Sequence, residues 1–252
     1  MNGTGYIGDE FLVKRIYLAL YTIVFITMVM FVVNDNIPRE PQTISRVAID
    51  KKIVALTIDD GPHPKVTPEI LAILKAKQVR ATFFVLGINA EQFPRFLEQE
   101  LVEGHEIGIH TYSHPFLSTL KAAQISDEFD KAEKVLMGMT PKLTLFRPPG
   151  GLYTSQVLEI ARQRGYRTIL WSIDTKDWSC PPKQKIIETV INNVKPGSII
   201  LMHDGQYPIP TPQVLGDVID ELRLRGYDFV TVSELLKHEE NSRFTSSFRE
   251  FF

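Results

Sequence analysis

The chain has 252 residues, 44% hydrophobic and 23% charged, with a formal net charge of -2 and a pI near 6.3. That suits one large α/β domain with an appendage, and the lack of a basic excess argues against nucleic acid as a partner. A single cysteine, Cys180, excludes an intrachain disulfide and a thiolate zinc cluster, and reads as an inert small side chain.

Residues 1–15 end in Lys14 and Arg15, and from Ile16 to Val33 no residue is charged. At about 1.5 Å per residue such a helix reaches roughly 27 Å, close to the hydrocarbon thickness of a bilayer. Asn34, Asp35 and Asn36 follow it. The positive-inside bias therefore predicts a single uncleaved anchor at 16–33, with residues 1–15 in the cytoplasm and the rest outside. A cleaved signal peptide is the alternative. It would need a small-x-small cleavage site, and Val32-Val33-Asn34 offers none. Residues 34–49, with Pro38 and Pro41, read as an exposed linker.

Over residues 50–237, apolar β-rich runs alternate with amphipathic stretches. The runs are 52–58, 81–87, 105–110, 144–147, 167–173, 198–203 and 228–232. Thr67-Pro68-Glu69 opens a helix with an N-cap and a first-turn proline. Asn89 is expected to cap the next, which Pro94 kinks or delays. Ser126-Asp127-Glu128 begins another. A fourth runs over 155–164 to Gly165, and 182–194 and 212–225 follow, the last closed by Gly226. Seven strands alternating with helices predict a parallel sheet with crossover helices, either open and doubly wound or closed as a barrel. In both, chemistry gathers at the carboxyl ends of the strands. The tail, 238–252, carries Phe244, Phe248, Phe251 and Phe252 and is placed either on the domain or on the membrane.

Polar clusters do follow those strand ends. Asp59 and Asp60 end the first, where Gly61-Pro62 turns the chain. Adjacent carboxylates there repel, and a cation is the usual remedy. His110 and His114, four apart, would share one face of a helical turn and grip a metal with one of the two carboxylates. Two imidazoles and a carboxylate leave positions free for water and substrate, and the second carboxylate is placed to take a proton. Arg147-Pro148-Pro149-Gly150-Gly151 sets a cation on a stiff and then open backbone, whose N–H groups can approach an oxyanion. Asp174, Asp177 and Trp178 put acids and an indole at the fifth strand end. His203 ends the sixth and is a candidate general acid. His63, His105 and His238 read as structural or surface residues.

Five segments together, TIDDGP, HTYSHP, RPPG, DTKDW and LMH, resemble the signatures of the NodB-type polysaccharide deacetylases of carbohydrate esterase family 4. RATFFVLG at 80–87 and GHEIGIH at 104–110 are similar too, so the resemblance spans roughly 50–237. It implies a distorted (β/α)7-type barrel. It implies that Asp59 is the general base, that Asp60, His110 and His114 bind zinc (or cobalt, nickel or manganese), and that Arg147 steadies an acidic partner. It further implies that Gly150 donates its backbone N–H to the oxyanion, that Asp177 and Trp178 shape the pocket with an acid of that segment tuning His203, that Leu201 lines the acetyl pocket, and that His203 protonates the leaving amine. Tyr112, inside the second motif, is expected at the substrate, and Arg80 beside Asp59. The implied reaction is hydrolytic N-deacetylation of a cell-surface N-acetylglucosamine polymer, peptidoglycan or chitin-like, by an enzyme held at the membrane. An O-acetyl esterase and an inactive glycan-binding module are the alternatives. Three positions depart from the pattern: Ile58 for phenylalanine, Ile109 where asparagine is common, and Gly150 for an aromatic residue. The sequence carries no signal for oligomeric state.

Overall fold

The computed structural model of the chain describes residues 15, 18–26, 43–140 and 143–238. They fall into two units, Met1–Pro41 and Gln42–Phe252. In the first, residues 18–26 are helical, and their large apolar side chains, among them Leu18, Tyr21 and Phe25, are exposed. Among the described residues no helix is long and apolar enough to cross a membrane. Residues 16, 17 and 27–33 of the expected anchor lie outside the described residues, as do 34–42 of the linker and 239–252 of the tail.

Among the described residues the second unit has nine strands: β1 Thr43–Ile44, β2 Ile53–Asp59, β3 Thr82–Val85, β4 Glu106–Ile109, β5 Leu145–Phe146, β6 Arg167–Ile169, β7 Ile173–Asp174, β8 Ile199–His203 and β9 Asp228–Phe229. Their order is β1-β6-β5-β4-β3-β2-β8-β7, with β9 paired to the start of β2, and every ladder between them is parallel. The sheet curls into a half-barrel with the helices packed around it. Beyond β1 the chain crosses to the foot of β8, where Arg46 bridges Ser198 antiparallel and Val47 N–H donates to Gly197.

Two expectations about strands change. The run 167–173 is not one strand. Leu170 donates its N–H to Ile44, whereas Ser172 donates to Ile199, so the chain leaves one neighbour for another and breaks into β6 and β7. β1 is two residues long, too short to show a period in sequence.

Among the described residues the second unit includes the helices α1 Val66–Lys77, α2 Gly87–Gln92, α3 Pro94–Val102, α4 Ala122–Leu136, α5 Ser155–Gln163, α6 Lys183–Asn193 and α7 Thr211–Leu224, and residues 232–238 are helical too. Pro94 starts a separate helix at N1 rather than kinking one. Asn89 does not cap α2, because its amide donates to the carbonyl of Asp60 instead. Thr67 is likewise no N-cap: it lies one residue inside α1 and its hydroxyl donates to Asp204. α4 begins four residues before Ser126, where the Lys121 N–H is taken by the Gln124 side chain.

β2 shows how the core places the site. Val54, Leu56 and Ile58 face the helices and pack with Ile70, Leu71 and Leu74 of α1. Ile53 and Ala55 face the other way, into a cluster with Phe84, Ile199, Val232 and Leu235. Side chains alternate along a strand, so Thr57 and Asp59 continue this second face toward the carboxyl end. Each fully buried aliphatic side chain contributes about 1.5–3 kcal/mol, which holds the register and hence the height of Asp59.

Candidate active site

Parallel register sets the first two groups side by side, since Asp59 of β2 is the partner of His203 on β8. Asp60, one residue on, leaves the strand. Its φ of 77° lies in the left-handed region. Such a conformation costs about 1–3 kcal/mol in a non-glycine residue and persists only where neighbours enforce it. Here Asn89 holds the Asp60 carbonyl at 2.7 Å, and Gly205 leaves room that a Cβ would close to 2.3 Å from Asp60 Cβ.

His110 follows β4 and is buried. Its Nδ1 lies 2.7 Å from the carbonyl of Arg147. A carbonyl only accepts, so Nδ1 carries a proton and donates it, and Nε2 is the ring nitrogen turned toward the site. This bond orients the ring, although Ile109 stands where the family pattern commonly has asparagine. His114 is not on a helical turn. Thr111 and His114 have φ of 70° and 62°, and the loop between the histidines is tied to Glu128 of α4. The Glu128 carboxylate accepts the N–H groups of Tyr112 and Ser113 and the hydroxyl of Ser113 at 2.8–3.0 Å.

Asp60 Oδ1 stands 3.4 Å from His110 Nε2 and 3.4 Å from His114 Nε2, and these three ligand atoms all lie within 4.8 Å of one another. Oδ1 is buried and has no hydrogen-bond partner among the described residues. Tetrahedral ligands about 2.0–2.1 Å from a metal lie roughly 3.3–3.4 Å apart. The spacing and the orphaned acceptor both fit a divalent cation. Burial pushes Asp60 up, but the approach of His110, with His203 and His114 beyond it, outweighs burial and holds the carboxyl at about 2. The ligand is therefore ionised at neutral pH. Burial and the charge of His110 lower His114, against the pull of Asp60 and Asp59, which favours the neutral ring that a metal requires.

Arg147 is fully buried, and every bond it makes orders the site. Nη1 donates to Asp59 Oδ1 at 2.6 Å and Thr57 Oγ1 at 2.9 Å, while Nε and Nη2 donate to the carbonyls of Ile169 and Leu170. The guanidinium thus pins one oxygen of Asp59. Its other oxygen lies 3.8 Å from His110 Nε2.

Asp177 is also fully buried, behind His203 rather than on the pocket wall. It accepts the His203 ring at 2.7 Å, the His203 N–H at 2.8 Å, the Trp178 N–H at 3.0 Å and the Thr211 hydroxyl at 2.5 Å. Burial would lower His203, but the bond and charge of Asp177, with Asp59 and Asp60, raise it to about 9. The imidazole is loaded with a proton at neutral pH.

These groups open on a cleft of about 360 Å³ lined by Asp59, Asp60, His110, His114, Phe116, Gly150, Trp171, Asp174, Trp178, Leu201 and His203. Two expected residues are elsewhere. Tyr112 donates its hydroxyl to Glu91 and lines a separate groove with Lys131 and Lys134, because Glu128 fixes the backbone so that this ring turns outward. Arg80 precedes β3 at the opposite end of the sheet and pairs with Glu234 at 2.6 Å, so it cannot orient Asp59. Sequence reasoning missed Glu128, Asn89, Phe116 and Trp171. Glu128 was in view only as part of a helix start and Asn89 only as a helix cap; Phe116 and Trp171 carry no local signal.

Fold and site together define a hydrolase of carbohydrate esterase family 4 type. A family model described as polysaccharide deacetylase matches residues 46–169. A peptidoglycan-N-acetylglucosamine deacetylase of Bacillus cereus is 39% identical over 75% of this chain and 91% of its own length. A chitooligosaccharide deacetylase of Azorhizobium caulinodans is 36% identical over 65% of this chain and 79% of its own. Among solved structures, a peptidoglycan N-acetylglucosamine deacetylase superposes with TM-score 0.74 at 36% identity, covering 77% of this chain and 92% of that one. A pseudoenzyme of the family from Bacillus anthracis superposes with TM-score 0.74 at 33% identity, over 79% and 70%. The chain belongs to the polysaccharide deacetylases, the hydrolases of carbohydrate esterase family 4.

Proposed function

We propose that this protein removes the acetyl group from N-acetylglucosamine units of a cell-surface glycan, peptidoglycan or a chitin-like oligomer, and releases acetate. One observation carries the reading: the Asp60, His110 and His114 cluster shares a single cleft with an arginine-pinned carboxylate and a proton-loaded histidine.

Asp60, His110 and His114 would hold the metal, most readily zinc, which when bound acts as a Lewis acid on the acetyl carbonyl and on water. Asp59, with one oxygen on Arg147, takes a proton from the water that attacks the acetyl carbon. The Gly150 backbone N–H is the donor offered to the oxygen that gains charge. Leu201 and Trp178 wall the cleft at the acetyl group and the sugar. As the carbon–nitrogen bond breaks, His203 gives its proton to the nitrogen. A free amine and acetate leave, and Asp59 and His203 exchange protons with solvent. An amide nitrogen must be protonated to depart, whereas an alkoxide is an easier leaving group. A histidine that Asp177 keeps protonated can supply that proton.

The uncharged run at 16–33 supports an anchor with the enzyme domain outside the cell membrane. The anchored protein is expected to stay with membranes in high salt, and release by salt alone would refute it. The reaction is tested by mass spectrometry of wall fragments and N-acetylchitooligosaccharides incubated with the full chain. Acetate loss should vanish on chelation and return with zinc. Asp59→Asn should be slower by roughly 10²–10⁴-fold. Stoichiometric metal with no acetate released from any glycan would instead identify a binding module.

A further inference from the structure

Two exposed aromatic rings stand in the cleft besides the polar groups. Trp171 is part of its floor: a Cβ on Gly151 would come within 2.7 Å of its ring, and the Arg147 guanidinium lies 5.5 Å from the ring centroid. Trp178 and Phe116, by contrast, are 53% and 54% exposed. A lone exposed apolar residue needs no explanation, but three observations set Phe116 apart. It lies two residues after His114, on the loop that carries that ligand. Its carbonyl accepts both the N–H and the hydroxyl of Thr119, at 3.0 and 2.8 Å, so the ring rises from a pinned backbone. And a Cβ at Gly150 would lie 3.2 Å from Phe116 Cε1. That is tight contact, so the Phe116 ring edge already borders the space in which a side chain at 150 would begin. With φ of 61°, Gly150 is also where a side chain would be strained. The open backbone at 150 and the ring at 116 form one surface.

We propose that Phe116 is a substrate-binding residue: with Trp178 it supplies the aromatic surface against which pyranose rings of the glycan pack at the reacting acetyl group. The proposal rests on the deacetylase reading and deepens it. The C–H face of a sugar is apolar and the groups around it are not, which is what an aromatic wall beside carboxylates and imidazoles recognises. A substrate of several sugars gains from that wall, and Phe116 accordingly sets affinity for chain rather than the chemical step.

The full-length protein in detergent, loaded with zinc, is assayed on the N-acetylglucosamine tetramer. Phe116→Ala should raise KM about tenfold with kcat changed by less than about twofold. Phe116→Leu, which keeps apolar bulk without the ring, should do the same, and Phe116→Tyr should restore the wild-type KM. All three should bind zinc at wild-type stoichiometry. A KM within twofold of wild type in the alanine or leucine variant, or a fall in kcat alone, overturns the assignment. If the wild type releases no acetate, the deacetylase reading fails by itself. The role of Phe116 is then decided by quenching of tryptophan fluorescence with the tetramer: about tenfold weaker binding in the variants supports it, and equal binding overturns it.

Discussion

Replacing Asp177 with asparagine isolates what the buried acid does for His203. The amide keeps the shape of the carboxylate but not its charge. In the native site, burial alone would lower His203, and Asp177 is the first group to oppose it, through a 2.7 Å bond and its charge. Returning the ring from about 9 to its ordinary 6.5 removes roughly 3 kcal/mol of preference for the proton. At pH 9 the wild-type ring is about half protonated and the variant about 0.3%, so activity should fall roughly 10²-fold. At pH 7 the deficit should be about fourfold, and at pH 5.5 close to none. A kcat/KM profile on a soluble acetylated oligosaccharide, measured from pH 5 to 10 at saturating zinc, reads this as an alkaline limb moved down by more than two pH units. The folded His203 value lies above the unfolded one, so the pair stabilises the protein below about pH 6.5 and this is lost as pH rises through about 9. The variant should accordingly lose more stability at pH 6 than at pH 9. A uniform loss of activity at every pH, with the limb unmoved, would show that Asp177 only shapes the pocket.

Arg147→Met should cost about 3–5 kcal/mol, because it strips a buried carboxylate of its partner and takes a donor from each of two backbone carbonyls. Thermal melts should fall by about 6–20 °C, and a drop under about 2 °C would mean Asp59 finds another donor. Glu100 of α3 is fully buried, and among the described residues neither of its carboxylate oxygens has a hydrogen-bond partner. Burial, with the charge of Asp204, raises it well above the ordinary carboxylate range. An acid raised on folding costs nothing below its unfolded value and progressively more as pH climbs. Glu100→Leu should therefore raise the urea midpoint at pH 8 and gain less at pH 4; a loss at both would reveal a polar partner for Glu100.

What the sequence alone determined is local. The apolar run of β2 and the Gly61-Pro62 turn put two acids at a strand end, because hydrophobic period and turn chemistry are properties of a few consecutive residues. The four-residue spacing of His110 and His114 and the strand-end positions of Arg147, Asp177 and His203 were legible for the same reason. Which side chains meet was not. Asp59 and Asp60 are neighbours in sequence, yet strand alternation sends one to Arg147 and a left-handed turn sends the other to the histidines. Arg147 reaches Asp59 across 88 residues and Asp177 reaches His203 across 26, distances that only sheet register closes. Tyr112 and Arg80 sit inside recognisable motifs and still point away from the cleft, the first because Glu128 holds its backbone and the second because it lies at the wrong end of its strand. Backbone direction follows from nearby residues, but a side chain's partner is chosen by everything packed against it, and that selection exists only once the sheet has curled.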